Sequence, residues 1–452
     1  MLKRFQPGVV GLAGLLLSSL LLAACGGAAE SVTPEQPAPA QSQATTTGAG
    51  EAAAPTSPTT EVTETTAAEE PTATAATTQA AEVSAAPATC QPVDIPTNTL
   101  IAPVSDEEWS KGPADAPVTV IEYADFQCPG CAGIFPTVEK LKTDYGDDLR
   151  IVFRHFPLLT IHDKAMITAE AAEAAGAQGK FWEMHDLLFE RQDMWSSTAQ
   201  EDMAEVLVSY AQEIGLEDMG QFKTDLEKHT YQAKIQAAYD SAVNSQLSST
   251  PSFVINQVDY PAQNFGLTYE GLDAFIKLIL LRETWFEQPE QVIDPDKQYT
   301  ATVKTEKGDI VIELYADTAP VNVNSFVFLA ENGWYKGVTF HRVLPGFVAQ
   351  GGDPTGMGIG FPGYRCGDEV SSSRTFDGPG VVSLANSGPN TNGSQFFITY
   401  DAVPQLNEGF TIIGRVVEGM DVAEAITPRD PQTTPDAPPG DTILDITIEE
   451  KG

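Results

Sequence analysis

Cys128-Pro129-Gly130-Cys131 stands where an apolar run, Pro117-Val118-Thr119-Val120-Ile121-Glu122-Tyr123, gives way to residues at helical spacing, Phe135, Val138 and Leu141. A buried strand that feeds directly into a helix fits this pattern, and Pro129 is tolerated in the first helical turn, where its missing N–H would have no partner. The chemistry follows from the placement. A cysteine at a helix amino terminus has its thiolate stabilised by free backbone N–H groups and the helix dipole. Cys128 is therefore the expected nucleophile, and Cys131, one turn inside, the resolving thiol that releases a mixed disulfide. A structural disulfide and half of a zinc site are the alternatives. Zinc needs a second ligand pair, and Cys90 and Cys366 lie far apart in the chain.

With 452 residues the chain is too long for one ordinary core and predicts two or three units. Its formal charge of −38 excludes a nucleic-acid partner, since phosphate contacts need clustered cations. Lys3 and Arg4 precede an apolar run from Val9 to Ala24, shorter than the ~20 residues of a spanning helix, which reads as a signal peptide over 1–25. The run ends in Leu22-Ala23-Ala24-Cys25-Gly26, which resembles the lipobox of bacterial lipoproteins. That resemblance implies lipidation of Cys25, cleavage before it, and an extracytoplasmic protein held to the membrane of the bacterial envelope. Residues 26–100, dominated by Ala, Thr, Pro and Glu, contain no lysine or arginine and predict a disordered tether. At 5–6 Å × √n it would hold a domain roughly 45 Å from its anchor.

Glu122-Tyr123-Ala124-Asp125-Phe126-Gln127 precede the cysteine pair, and Arg150 to Leu158, Phe181-Trp182-Glu183-Met184-His185 and Ser249-Thr250-Pro251-Ser252-Phe253 follow it. With these motifs residues 101–287 resemble the DsbA-like branch of the thioredoxin superfamily. It implies an α/β thioredoxin fold in which Glu122 is the buried carboxylate that exchanges protons with the thiols. Pro251 takes the place of the cis-proline beside the cysteines, and Thr250 that of the variable residue before it. The Ala-, Glu-, Leu- and Met-rich span from Asp163 to Gln246 fits the family's helical insertion. Gly130 stands where the strong oxidants of the family carry histidine, so oxidase, isomerase and reductase directions all stay open. His155, His162, His185 and His229 lack metal-ligand spacing and read as packing or surface residues.

Residues 288–298 read as a linker. Beyond them Thr300–Thr305 and Asp309–Tyr315 alternate as two strands around Lys307-Gly308, and a helix runs from Ala319 towards Glu331. The glycine-rich remainder suggests a closed antiparallel β-barrel with helices. Phe340-His341-Arg342-Val343-Leu344-Pro345-Gly346-Phe347-Val348-Ala349-Gln350 and Leu384-Ala385-Asn386, continuing to Gly393-Ser394-Gln395-Phe396-Phe397, resemble the two signatures of cyclophilin-type peptidyl-prolyl isomerases. The likeness covers 299–452. It implies that Arg342 donates to the prolyl nitrogen, that Phe347, Val348, Phe397, Leu406 and Phe410 line a proline pocket, and that Gln350, Ala385 and Asn386 hold the peptide backbone. Gln405 stands where many members carry tryptophan, and Phe410 where many carry histidine. Asn392-Gly393-Ser394 has the form of a glycosylation sequon but sits in a motif that reads as a glycine turn.

Together these readings describe a dual foldase for unfolded or folding exported polypeptides, which needs a redox partner for the Cys128–Cys131 pair and implies no cofactor or metal. A tethered peptide-binding chaperone with idle sites and a reductive partner of one envelope client are the competing readings. Cys90 and Cys366 either pair with each other or remain odd thiols.

Overall fold

The computed structural model describes residues 88–431, 433–434 and 437–451. The signal segment, Cys25 and the tether up to residue 87 lie outside the described residues. The tether's expected last stretch does not behave as one. Strand β1 (Cys90–Pro92) pairs with a strand of the second domain, Ile95 packs against the first domain's core, and Ile101 is buried. The segment is polar and aperiodic, so nothing local announces contacts that only the assembled domains supply.

The first domain is built on a five-stranded sheet in the order β2-β4-β3-β5-β6, with β2 (Trp109–Lys111), β3 (Val118–Ala124), β4 (Leu149–His155), β5 (Ser252–Ile255) and β6 (Val258–Asp259). β3 and β4 run parallel, joined by helix α1 (Pro129–Tyr145), while β5 is antiparallel to β3. Both central strands are almost continuously buried, as expected of strands covered on both faces. Between β4 and β5 come α2 (Ala165–Gly176), α3 (Phe181–Glu190), α4 (Gln192–Trp195), α5 (Met203–Glu213), α6 (Met219–Glu227) and α7 (Gln232–Asn244), the expected helical insertion. The insertion has its own core, including Leu188, Leu207 and Phe222, continuous with Phe126, Cys128 and Cys131. Gly176 is required there: a Cβ would lie 2.4 Å from the Trp109 ring, which stacks on Phe181. After β6, α8 (Ala262–Phe265) leads into α9 (Tyr269–Leu281), whose Leu272, Phe275, Ile276 and Ile279 pack with Ile134, Val138 and Leu141 of α1.

The second domain holds β7 (Gln298–Thr305), β8 (Gly308–Leu314), α10 (Pro320–Glu331), β9 (Val338–Thr339), β10 (Arg342–Leu344), β11 (Val348–Gly351), β12 (Tyr364–Cys366), β13 (Val381–Leu384), β14 (Phe396–Thr399), β15 (Ile412–Glu418), α11 (Met420–Glu424) and β16 (Thr442–Lys451). Nine strands form one antiparallel sheet in the order β10-β11-β14-β13-β15-β8-β7-β16-β9. The expectation of a closed barrel gives way to a curled, open sheet, because its end strands share no ladder among the described residues. The free edge of β10 is taken instead by a bridge between Val343 and Arg429, with N–H to C=O bonds both ways of 2.6 and 3.0 Å.

The domains dock through apolar contacts. Phe361 sits with the first domain's core, its ring centroid 4.6 Å from that of Trp285, and Phe286 packs on Phe328 at 5.0 Å. Phe286 N–H donates to the Pro362 carbonyl at 2.9 Å. The expected linker is clasped as well: Val292 and Ile293 N–H groups donate to the Asn324 side-chain oxygen, and Ile293 is buried. β1 pairs with β12 so that Cys90 and Cys366 are register partners, and the two form a disulfide.

Candidate active sites

In the first domain β3 delivers the chain to Cys128, the N-cap of α1, with Pro129 in the first turn and Pro136 inside the helix. Both cysteines are free thiols; Cys131 is fully buried and Cys128 nearly so. The other described cysteines are joined to each other, so the pair has no cysteine partners for a zinc site. Thr250–Pro251 is a cis peptide, and the Thr250 carbonyl oxygen lies 3.4 Å from Cys128 Sγ. A hydrogen bond from Cys131, reinforced by the N–H groups of Cys131 and Gly130, outweighs burial and lowers the Cys128 thiol to about 5. Burial, followed by the bond to Cys128, pushes the Cys131 thiol well up. The two thiols are thus split, Cys128 towards the thiolate and Cys131 towards the thiol.

Gly130 fits this geometry. A Cβ there would stand a tight 3.2 Å from Pro251 Cδ and in ordinary contact, 3.6 Å, with Cys128 Sγ. Glu122 is buried on β3, and its carboxyl is pushed up to about 8 by burial and the nearby Glu139, with Lys111 opposing. Lys111 is itself paired with Glu139 at 2.7 Å and Asp186 at 3.3 Å. The four first-domain histidines are absorbed by the fold. His155 bonds Glu173, His162 bonds Asp125 and His229 bonds Glu170, while His185 sits among Phe126, Phe153 and Phe189. One further residue has no sequence signal of its own. Gln192, buried in the insertion, donates from its side-chain amide to the carbonyls of Phe126 and Cys128 at 2.7 and 2.9 Å, holding the loop before the helix.

In the second domain Arg342, Phe347, Val348, Gln350, Ala385, Asn386, Phe397, Leu406 and Phe410 all line one cavity of about 170 Å³. The register explains part of this convergence. Arg342 is opposite Gln350, and Gln350 opposite Phe397, so the three side chains leave the same face of the sheet. The floor is apolar: Val348 and Phe397 cluster with Phe376, Val381, Val403 and Ile412, and Phe410 meets Phe397 edge-on at 5.6 Å. Phe376, stacked on Phe397, belongs to this floor but lies in a loop whose sequence carries no periodic signal.

The polar rim is held from behind. Gln350 donates to Gln395 at 3.0 Å, and Gln395 donates in turn to the carbonyls of Gly358 and Gly360. That glycine loop is wound around buried Asp353, whose carboxylate accepts from the N–H groups of Thr355, Met357, Gly358, Ile359 and Gly360. Asn386 donates to the Gly409 carbonyl at 2.8 Å, tying its side of the rim to the loop that carries Leu406 and Phe410. Gln395 was visible only as part of a motif, and its positioning role needed the structure. Asn392 is fully buried and bonded to Asp368, so the sequon is a structural turn.

A family model described as cyclophilin type peptidyl-prolyl cis-trans isomerase matches residues 300–448, and one described as thioredoxin matches residues 105–278. The peptidyl-prolyl cis-trans isomerase ppi1 of Schizosaccharomyces pombe is 50% identical over 125 residues, covering 27% of this chain and 81% of that protein. Peptidyl-prolyl cis-trans isomerase A of Mycobacterium tuberculosis is 46% identical over 145 residues, covering 28% and 80%. A crystal structure of a cyclophilin type peptidyl-prolyl cis-trans isomerase of Cryptosporidium parvum is 36% identical, covering 34% of this chain and 99% of the other, with a TM-score of 0.32. The chain therefore belongs, through its second domain, to the cyclophilin-type peptidyl-prolyl cis-trans isomerases, with a thioredoxin-like domain placed ahead of it.

Proposed function

We propose that the chain is an extracytoplasmic, membrane-anchored dual foldase that isomerises X–Pro bonds at Arg342 and exchanges disulfides at Cys128 in exported polypeptides. The observation that carries this reading is the convergence of nine residues, drawn from separate strands and loops, on one small cavity with a single arginine at its edge. Prolyl isomerisation is the activity for which the relatives above are named.

Rotation about an X–Pro bond crosses a barrier of ~20 kcal/mol and unaided takes tens of seconds. No bond is made or broken, so no nucleophile is needed. The apolar floor around Phe397 takes the prolyl ring, and Gln350, Ala385 and Asn386 hold the flanking backbone. Arg342 donates to the prolyl nitrogen, which becomes a better acceptor as conjugation is lost, so the twisted state is bound more tightly than either planar one.

In the DsbA-like reading of the first domain, a client dithiol attacks the Cys128–Cys131 disulfide. The client leaves oxidised, the pair is reduced, and a redox partner takes up the two electrons. The lowered Cys128 thiol stabilises the reduced form and so favours giving the disulfide away. Glu122, neutral at pH 7, serves as the proton store beside Cys131. The Cys90–Cys366 disulfide supports an oxidising compartment, and the lipobox at Cys25 supports a lipid anchor. Among the described residues no helix is long and apolar enough to cross a membrane.

The test is a pair of single variants of the full chain assayed for both reactions. Cys128→Ser is expected to abolish disulfide exchange and leave proline-peptide isomerisation intact, and Arg342→Ala to do the reverse. Variants that lost neither activity, or a wild type that lacked one, would leave a peptide-binding lipoprotein as the better reading.

A further inference from the structure

Arg342 and Gln350 face two spaces. Besides the small cavity they line a larger cleft of about 560 Å³, and its opposite wall comes from the redox domain, through Asn264 and Phe265 at the end of α8. The isomerase side contributes His341 and Met357. Three features give this cleft the character of a binding site. Phe265 is half-buried and backed by Tyr260 and Phe275, with ring centroids 6.2 Å away in each case, so it presents a fixed apolar surface.

His341 is buried, and both of its ring nitrogens lack a hydrogen-bond partner among the described residues. Gly358, also in the cleft wall, lies against the imidazole, where a Cβ would stand 3.6 Å from Nε2. Burial lowers the His341 pKa, so the ring is neutral and can accept one hydrogen bond while donating another. An extended peptide offers this same pair of groups, one N–H and one C=O per residue. The width of the cleft is also set. The Trp285–Phe361 contact and the Phe286–Pro362 hydrogen bond hold the two domains that form its walls together.

We propose that the interdomain cleft is a second subsite of the isomerase, taking the stretch of an unfolded client chain that adjoins the X–Pro bond. An apolar client side chain packs between Phe265 and Met357, and client backbone groups bond the His341 ring. The occupant is a polypeptide because the cleft is continuous with the proline pocket through Arg342 and Gln350. Its volume of about 560 Å³ lies within the range of ligand-holding clefts, whereas the proline pocket, at about 170 Å³, is below it. The redox domain thereby selects which prolines the isomerase serves. The inference rests on the isomerase reading above.

The experiment compares two substrates of the full-length protein: a short proline peptide that fits the small pocket, and an unfolded protein whose refolding is limited by prolyl isomerisation. Asn264→Trp fills the cleft from an exposed position, and Phe265→Ser removes its apolar wall. Each is expected to slow catalysed refolding about fivefold, the effect of roughly 1 kcal/mol, while kcat/KM for the short peptide stays unchanged. Equal losses on both substrates, or no loss on either, would overturn the subsite. A wild type that fails on the short peptide would instead overturn the isomerase reading itself, so the two failures are distinguishable.

Discussion

Arg342 and Gln350 are register partners across the β10–β11 pair, and Gln350 repeats the relationship with Phe397 on β14. Because directly opposed residues share a face, a cation, an amide and an aromatic ring are set side by side without any loop having to place them. Gln395, bonded to Gln350 and to the Gly358 and Gly360 carbonyls, fixes the amide of this row. Gln395→Leu would strand these polar groups at a cost of about 1–3 kcal/mol. Isomerisation of a proline peptide is expected to fall about tenfold while the circular dichroism spectrum is unchanged. An unaltered rate would remove Gln395 from the site.

Cys128 carries the next prediction. Its thiol is lowered to about 5, so in the reduced protein it is a thiolate above that pH and a thiol below it. The rate of iodoacetamide alkylation should rise with pH through a midpoint of about 5, and Cys128→Ser should remove this fast reaction. Buried Cys131, whose thiol is pushed up, should react only slowly throughout. A single transition near the ordinary value of 9.0 would contradict the assignment of nucleophile.

Glu122 titrates the other way. Its carboxyl is raised from 4.5 to about 8 in the folded protein, so the folded state holds its proton over a range where the unfolded state has released it. The contribution to stability is fully present below 4.5 and is lost as pH rises through about 8. Glu122→Gln should therefore flatten the decline in stability of the first domain between those values, by on the order of a few kcal/mol. Denaturant unfolding of variant and wild type at both ends of the window reads this directly. Parallel pH profiles would mean that Glu122 is not a buried acid.

Much of this was legible in the sequence because the informative residues are neighbours. The strand, Cys128 to Cys131 and the start of α1 are contiguous, and the isomerase residues from Arg342 to Gln350 fall in one motif. What could not be read is long-range. Gln192 reaches the Cys128 loop across 64 residues from within a helical insertion whose pattern signals only packing. Phe361, in a glycine-rich loop, enters the other domain's core. The open sheet is hidden for a similar reason, since strand-rich sequence does not show that Arg429 occupies the edge of β10.

The Cys90–Cys366 disulfide is the strongest of these long-range links, closing a separation of 276 residues. Cys90→Ser combined with Cys366→Ser should cost about 2–4 kcal/mol in denaturant unfolding, chiefly by loosening the unfolded-state constraint. Peptide mapping of the wild type should recover the two residues as one cross-linked fragment. Free thiols at both positions, or an unchanged midpoint in the double variant, would contradict the clamp.

Arg342→Ala, assayed for cis–trans isomerisation of a short proline peptide in the full-length protein, tests the central claim. With the fold intact by circular dichroism, the rate enhancement is expected to drop by ~100-fold or more, as when a donor aimed at the reacting atom is removed. An isomerisation rate equal to that of the wild type would contradict the assignment of Arg342 and leave the cavity a peptide-binding site only.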